Sequence, residues 1–169
     1  MRRTVLGLLL TAMSLCADSG AGVHWTVPPS WKSEAQRPMR LATYTVAPGA
    51  ECGVYFFGAG QGGSVDANLD RWIGQFLQAD GKPSKAAAKI AKRAIRGWLV
   101  TTVDVAGAYT GMGGPTAQAG PAMAGYRMLG AIVEGPQGSI FFKFTGPAKT
   151  IAANQAAFDK ILESLGPVR

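Results

Sequence analysis

Histidine and closely spaced carboxylates, on which many catalytic and metal sites depend, are scarce in this sequence. Histidine occurs once, as His24, and the ten acidic residues are scattered along 169 positions. A single histidine excludes a histidine-cluster metal site, and no complete catalytic triad is recognisable. No pair of carboxylates has the spacing that glycoside hydrolysis uses. The sequence therefore predicts no metal and no cofactor, and it favours a protein that is not an enzyme.

Cysteine is also scarce, since the chain has only Cys16 and Cys52. Two cysteines cannot form the disulfide framework that holds many small secreted domains together. Cys52 precedes the apolar segment 54–57, where a lone cysteine is usually a small core residue. The two cysteines could pair only in a chain that keeps both, which depends on where the N-terminal segment is removed.

The sequence also has no apolar run long enough to span a membrane as a helix, and its longest apolar run lies in that N-terminal segment. Arg2 and Arg3 precede an almost unbroken apolar run of 11 residues, 5–15, and small residues follow around Ala17. The run is too short to cross a bilayer as a helix but has the layout of a secretory signal. We predict that residues 1–17 are a cleaved signal peptide, that 18–23 are a flexible tail, and that 24–169 form one domain. Such a protein is exported to the periplasm or the outer membrane, or is otherwise secreted.

Three ways of processing this signal stay open. Cleavage after Ala17 places Leu15 and Ala17 where small residues are preferred, and cleavage after Ser14 places Ala12 and Ser14 there. Alternatively, Cys16 is lipidated as the first residue of a lipoprotein, although Leu15 occupies a place where that signal has a small residue. A single acyl chain anchors a protein only weakly by itself. Membrane contact is expected only through such an anchor.

Composition and charge limit the classes of partner. The chain is 47% hydrophobic and 16% charged, which is typical of a globular protein. Its net charge of +7 falls to about +5 without Arg2 and Arg3, because every acidic residue lies beyond the signal. A basic surface favours an anionic envelope surface or an envelope protein as partner, although solvated lysines are the commoner explanation. Nucleic acid is not expected, because the protein is exported and has no recognition motif.

Alternation and helical spacing predict an α+β fold. A helix is predicted to begin at Ser64, with apolar residues at helical spacing up to Leu77, and to end at Gly81 and Pro83. A final helix includes residues 151–165. The predicted strands, of which the last two form a hairpin, are residues 24–27, 39–46, 52–57, 98–105, 126–133 and 139–144. We expect a mainly antiparallel sheet of about six strands with two main helices packed on it.

Two further segments have unusual compositions. Residues 82–96 contain six basic residues and no acid, and we predict a short helix near 84–91 with a solvated basic face, followed by a strand. Residues 110–125 form a loop rich in glycine, proline, alanine and glutamine. Loops of this length are uncommon in small domains and are often functional.

The segment 58–63, Gly-Ala-Gly-Gln-Gly-Gly, matches the dinucleotide-binding pattern G-x-G-x-x-G between a strand and a helix. Its context argues against a nucleotide site, because a lysine-rich stretch follows and hairpins replace the repeated βαβ units. We interpret the segment as a flexible strand-to-helix turn, where binding of a small anion stays open.

Polar side chains and flexible glycines concentrate around this turn, which makes it the candidate binding surface together with the 110–125 loop. Asp104, inside an apolar strand, is either an outward-facing residue or the buried partner of an arginine, and a structural pair is favoured over a general base. Arg71 is likewise interpreted as a structural residue. The candidate binding residues are Gly60, Gly62, Gly63, Asn68, Arg71 and Tyr109.

Three groups of residues together form a recognisable signature. They are Trp25-Thr26-Val27-Pro28 with Trp31 and residues 39–42; Gly62-Gly63 with Asn68, Arg71-Trp72 and Gln75-Phe76; and Phe141-Phe142-Lys143-Phe144-Thr145-Gly146-Pro147 with Phe158 and Ser164-Leu165. This set resembles an uncharacterised family of bacterial exported proteins, often predicted as lipoproteins. The succession of elements is similar to the PsbP-like fold of the photosystem II accessory subunits. The resemblance implies an antiparallel sheet between helices and carries no catalytic residues.

We therefore expect an exported, non-enzymatic envelope domain that binds or assists another cell-envelope component. The alternative is a small-ligand-binding protein, or an enzyme, that uses a cleft beneath the 110–125 loop. A deep pocket with Asp104, Tyr109 or Arg71 at hydrogen-bond distance would favour the alternative, and a flat surface would favour the first hypothesis.

Overall fold

The chain forms a main antiparallel β-sheet with one helix packed on each face. The structure, a computed structural model, describes residues 16–111 and 121–168, so most of the predicted signal and the centre of the predicted 110–125 loop lie outside the described residues. The helices are α1 (Val65–Ile73) and α2 (Ala148–Glu163), and a 3₁₀ turn covers Ser84–Ala86. The strands, numbered along the chain, are β1 (Cys16–Gly20), β2 (Val23–Val27), β3 (Lys32–Ser33), β4 (Arg40–Ala47), β5 (Ala50–Phe56), β6 (Phe76–Leu77), β7 (Lys89–Ile95), β8 (Trp98–Tyr109), β9 (Met123–Gly135), β10 (Gly138–Pro147) and β11 (Gly166–Pro167).

The main sheet has eight strands, in the order β3-β4-β5-β10-β9-β8-β6, with β7 also paired to β8. A separate three-stranded sheet has the order β1-β2-β11. Every strand pair among the described residues is antiparallel, and the predicted hairpin is β9–β10. The α+β class is therefore confirmed. Five of the six predicted strands lie in the main sheet, and the predicted strand 24–27 lies in the separate sheet as β2. The short strands β3 and β6, together with β7, bring the main sheet to eight strands.

The two faces of the main sheet carry separate apolar cores. Neighbouring side chains of β10 alternate between them, since Phe142 and Phe144 belong to a cluster of 20 buried residues and Phe141 to a cluster of 10. On the large-core face, α2 packs against β9, β10 and β2. On the small-core face, α1 packs against β8. Each large side chain that is fully buried contributes about 1.5–3 kcal/mol, so the large core supplies most of the hydrophobic stabilisation.

The first helix begins where the sequence predicts and ends earlier. The Oγ of Ser64 accepts a hydrogen bond from a backbone N–H of the first turn at 3.2 Å, which caps the helix. The helix ends at Ile73, with Gly74 as its C-cap. Phe76 and Leu77, predicted to be helical, instead form β6 and pair with the end of β8. A pairing that is distant in sequence thus overrides the helical spacing of these two residues.

Two other segments also differ from the prediction. The predicted helix near 84–91 is a single 3₁₀ turn, and β7 then pairs with β8 along its whole length. Residues 18–20 of the predicted flexible tail belong to β1, which pairs with β2. Two consecutive side-chain hydrogen bonds hold β1 in place. Trp25 Nε1 donates to Tyr44 Oη, and Tyr44 Oη donates to Asp18 Oδ2, each at 2.8 Å. Among the described residues, no helix is long and apolar enough to cross a membrane.

Candidate functional site

Asn68 holds the glycine-rich turn that precedes α1. Its Nδ2 donates to the carbonyl oxygens of Gly62 at 2.7 Å and Ser64 at 2.9 Å, and its Oδ1 accepts from Arg71. The Asn68 side chain is only 1% exposed. Gly62 and Gly63 have φ angles of +91° and +79°, a region that side-chain-bearing residues rarely adopt. In this structure Asn68 shapes the turn, because both ends of its amide are used within the protein.

The predicted candidate residues fall into two groups. The structure brings Gly62, Gly63, Asn68 and Arg71 together at the turn, and Gly60 lies at its tip with open space around it. Tyr109 lies elsewhere on the small-core face, at the end of β8 and beside the start of the predicted 110–125 loop.

A cleft with a volume of about 200 Å³ opens beside Tyr109. Both ends of the predicted 110–125 loop approach it, since Tyr109 ends β8 and Met123, also in the lining, begins β9. The alternative hypothesis places its cleft beneath the 110–125 loop, whose residues 112–120 lie outside the described residues. The side chains that give the cleft its chemistry are Arg40, Tyr55, Tyr109, Tyr126, Lys143 and Thr145.

Lys143, in the middle of β10, is the buried cation of this cleft and is 5% exposed. Its Nζ donates to Gln75 Oε1 at 2.6 Å and to Tyr109 Oη at 3.2 Å, and it lies 5.3 Å from the centre of the Tyr109 ring. Burial, together with the positive charges of Arg71 and Arg40, lowers the pKa of Lys143 to about 8. The lysine is therefore charged at neutral pH, at an energetic cost.

No carboxylate balances the charge of Lys143. All ten acidic residues of the chain lie within the described residues, and none of the ion pairs there includes Lys143. Glu51, which also lines the cleft, pairs with Arg40 and, at 3.0 Å, with Arg37. One acid faces three cations, so the cleft and its rim carry a net positive charge.

Two glycines leave room for aromatic rings on either side of the buried lysine. Gly53 on β5 and Gly130 on β9 are the cross-strand neighbours of Lys143. A Cβ on Gly53 would lie 2.8 Å from the Tyr55 ring, and a Cβ on Gly130 would lie 2.7 Å from the Trp72 ring. The two rings thus cover the backbone on either side of Lys143. Larger residues at either glycine would displace them.

Tyrosines and an unpaired hydroxyl complete the cleft. The rings of Tyr109 and Tyr126 are stacked at 5.9 Å, and the Arg40 guanidinium lies 5.0 Å from the centre of the Tyr55 ring. Burial raises the pKa of Tyr109 to about 12 and also raises the pKa of Tyr55, so both phenols are neutral at physiological pH. The buried Oγ1 of Thr145 has no hydrogen-bond partner within residues 16–111 and 121–168. A buried hydroxyl without a partner costs about 1–3 kcal/mol.

Neither Lys143 nor Gln75 is among the candidate residues predicted from the sequence. The available signal was a single lysine inside the apolar run Ile140-Phe141-Phe142-Lys143-Phe144. Gln75 also holds the start of the predicted 110–125 loop, because its carbonyl oxygen accepts from Thr110 N at 2.9 Å and Thr110 Oγ1 at 3.0 Å. One residue therefore contacts both the lysine and the loop.

Asp104 lies outside the cleft and makes the structural pair that the sequence predicts. Its two oxygens accept from Arg127 Nε at 2.8 Å and Arg127 Nη2 at 2.7 Å. Arg127 Nη2 also donates to Gln155 Oε1 of α2 at 2.9 Å. The pair thus ties β8 and β9 to the helix on the large-core face.

A basic edge of the main sheet is the second charged feature. β7 pairs only with β8 among the described strands, so its outer side is an open edge. Lys82 and Lys85 pair with acids at 3.3 Å and 2.7 Å, whereas the other four basic residues have no ion pair within the described part of the chain. We define the basic edge as these six exposed residues, Lys82, Lys85, Lys89, Lys92, Arg93 and Arg96. Because β7 is a strand, its charges project to both faces and do not form the single helical face predicted.

The basic edge also has exposed aliphatic residues and lies close to β1. Ile90 and Leu99 are 44% and 45% exposed. Arg96, at the turn between β7 and β8, lines the same surface depression of about 650 Å³ as Ala17 and Asp18 of β1. The start of the described chain is therefore on the same side of the molecule as one end of the basic edge.

Comparison with known proteins identifies the fold. No protein-family model matches the sequence, and no curated protein is significantly similar to it. The chain is similar to the solution structure of cyanobacterial PsbP (CyanoP) from Synechocystis sp. PCC 6803, with a TM-score of 0.57 and 11% sequence identity. The match covers 98% of this chain and 98% of that chain. At this level of identity the similarity concerns the architecture alone. The chain therefore has a PsbP-like α+β fold, as the succession of its predicted elements indicates.

Proposed function

We propose that this chain is an exported, non-enzymatic accessory domain that attaches to an anionic envelope surface through the basic edge. Export is supported by the arrangement of residues 1–17, and an accessory role is supported by the fold that photosystem II accessory subunits share. The observation that carries the proposal is the group of four exposed basic residues along β7 and its following turn, which have no acidic partners in the described part of the chain. In this proposal the surface is formed by anionic lipid headgroups of the envelope.

The expected strength follows from the number of charges. Each lysine or arginine close to an anionic membrane contributes about 1 kcal/mol. Four residues would therefore raise the partition coefficient roughly a thousandfold, at about 1.4 kcal/mol for each factor of ten. The exposed side chains of Ile90 and Leu99 beside these charges suit an interface where apolar groups reach the headgroup boundary.

The position of β1 supports the same orientation. An acyl chain on Cys16 would start next to Ala17, which shares its surface depression with Arg96. One acyl chain together with a polybasic patch gives stable attachment, whereas either signal alone is weak. The competing explanation is that the lysines only prevent the open edge of β7 from pairing with a strand of another chain.

Sedimentation with lipid vesicles separates these explanations. The chain from Asp18 onward should bind vesicles of phosphatidylglycerol and phosphatidylcholine, should not bind pure phosphatidylcholine, and should be released by salt. The double variant Lys92→Gln/Arg93→Gln should bind about 30-fold more weakly, from two losses of about 1 kcal/mol each.

The matched control is Lys149→Gln/Lys160→Gln, which removes two exposed charges from α2. This control should bind the anionic vesicles almost as the wild type does. Equal losses in the two double variants would show that only net charge matters, and no binding to anionic vesicles would contradict the proposal.

A further inference from the structure

We propose that the cleft beside Lys143 binds a small organic carboxylate, which takes hydrogen bonds from Lys143 and Thr145 and packs its apolar part against the tyrosines. The cleft and the basic edge consist of different residues, so this inference stands apart from the proposed envelope attachment. The relevant features are a buried cation without an anion, a buried hydroxyl without a partner, and a cavity between them.

Lys143 supplies the charge that recognises an anion. Its ammonium group has three N–H donors, and Gln75 Oε1 and Tyr109 Oη use two of them. Both partners are neutral, so the bonds orient the ammonium group without cancelling its charge. A carboxylate would take the third donor and neutralise a charge that nothing else in the described chain neutralises.

Thr145 supplies a second donor next to the lysine. Residues two apart on a strand point to the same face, so Lys143 and Thr145 both face the cleft, whose lining includes them. The Oγ1 of Thr145 is buried and has no partner in the described residues. A carboxylate has two oxygens, which can accept from the ammonium group and the hydroxyl together.

The size and lining of the cleft define the rest of the ligand. A volume of about 200 Å³ holds a molecule of only a few heavy atoms beyond the carboxylate. The rings of Tyr55, Tyr109 and Tyr126 offer flat apolar surfaces. Arg40 is already engaged with Glu51, so among the described residues the site offers one cation without an ion pair, and it suits a monoanion better than a phosphate dianion.

The site predicts a defined pH dependence of binding. A carboxylate prefers the protonated form of Lys143, whose pKa is about 8 before the ligand binds. Affinity should therefore be constant at neutral pH and should fall as the pH rises well above 8, about tenfold per pH unit at most. The titratable and charged groups that face or influence Lys143 are Tyr109 of β8, Tyr126 of β9, Tyr55 and Glu51 of β5, Arg40 of β4 and Arg71 of α1. Of these, the tyrosines with raised pKa values stay neutral through the range in which Lys143 titrates.

Titration with matched acids and amides tests this inference. The probes are acetate and benzoate, each compared with its neutral amide, added to the chain from Asp18 onward labelled with ¹⁵N-lysine. The expected result is a shift of the Lys143 Nζ signal with at least one acid and with neither amide. Lys143→Met should weaken the binding of that acid at least about tenfold, because it removes a charged hydrogen bond.

Two further variants make the result specific. Thr145→Val keeps the shape and the charge of the cleft and should weaken binding about three- to tenfold, as expected for a neutral hydrogen bond. Lys149→Met removes an exposed lysine and should leave binding unchanged. If Lys143→Met does not fold, Thr145→Val and the decrease in affinity at high pH decide the question. An unchanged Lys143 signal with both acids, equal binding of acid and amide, or equal effects of Lys143→Met and Lys149→Met would overturn the proposal.

Discussion

Substitution of Lys143 by methionine should change how the stability of the protein depends on pH. The pKa of Lys143 is lowered from its usual value of 10.5 to about 8, first by burial and then by Arg71 and Arg40. Below pH 8 Lys143 is therefore protonated in the folded protein, where its positive charge is less favourable than in the unfolded chain. Methionine has a similar length and no charge, so the variant avoids this cost.

The magnitude follows from the two pKa values. The difference between 10.5 and about 8 corresponds to roughly 3 kcal/mol, at about 1.36 kcal/mol per pH unit. Between those pH values the unfolded wild type binds more protons than the folded form, so its free energy of unfolding rises with pH. The variant lacks this rise. Its stability relative to the wild type should be greatest at neutral pH and should decrease by about 3 kcal/mol by pH 11.

Urea denaturation of both proteins between pH 6.5 and pH 11 measures this difference. The loss of the hydrogen bonds to Gln75 and Tyr109 adds a constant cost of about 1 kcal/mol each, which does not depend on pH. Cys52 and Tyr44 of the large core, whose pKa values burial raises, destabilise both proteins at high pH and cancel in the comparison. Lys149→Met, at an exposed site, should give a curve parallel to the wild type. Parallel curves for Lys143→Met and the wild type would refute the reasoning.

Three other substitutions or reactions test separate parts of the structure. Asn68→Ala should lower the free energy of unfolding by about 1–3 kcal/mol in urea denaturation, because it removes the side-chain donor to the Gly62 carbonyl and one of the two hydrogen bonds to the Ser64 carbonyl. Asn154→Ala, on a helix surface, should cost less than about 0.5 kcal/mol and is the control. Asp104→Asn should cost about 1.5 kcal/mol, since it weakens the double hydrogen bond from Arg127, and an unchanged thermal midpoint would contradict this. The thiol of Cys52, buried and with a raised pKa, should not react with a disulfide reagent at pH 8 until denaturant unfolds the protein.

The sequence correctly predicts the elements in which the local residue pattern favours the same structure as the contacts with distant residues. The strand that begins at Trp98, the hairpin of β9 and β10, and the capped start of α1 at Ser64 all carry a regular apolar pattern with turn or capping residues at their ends. Their strand alternation or helical spacing matches the face that the core buries. The arginine pair of Asp104 was predicted for a similar reason, because a lone acid in an apolar strand needs a partner.

Other elements depend on partners that are distant in sequence. The helical spacing of the basic residues in 82–96 favours a helix locally, but pairing with β8 makes residues 89–95 a strand. The small residues 18–20 suggest a flexible tail, but pairing with β2 and the bond to Tyr44 fix them. The cleft also depends on residues that are distant in sequence. Arg40, Tyr109 and Lys143 are separated by 69 and 34 positions and come together only in the folded sheet.

The unequal cores on the two faces imply that the molecule opens in two steps. Hydrogen exchange reports local opening, which costs less where fewer apolar side chains are buried. Amides of α1, over the cluster of 10 residues, should therefore exchange through a partial opening, whereas amides of α2 and β10 should exchange only when the whole domain unfolds. The cleft belongs to the less protected layer, since Tyr109 is part of that cluster. A molecule bound there should slow exchange in α1 and β6 far more than in α2, which would make the small-core face the adjustable half of the domain.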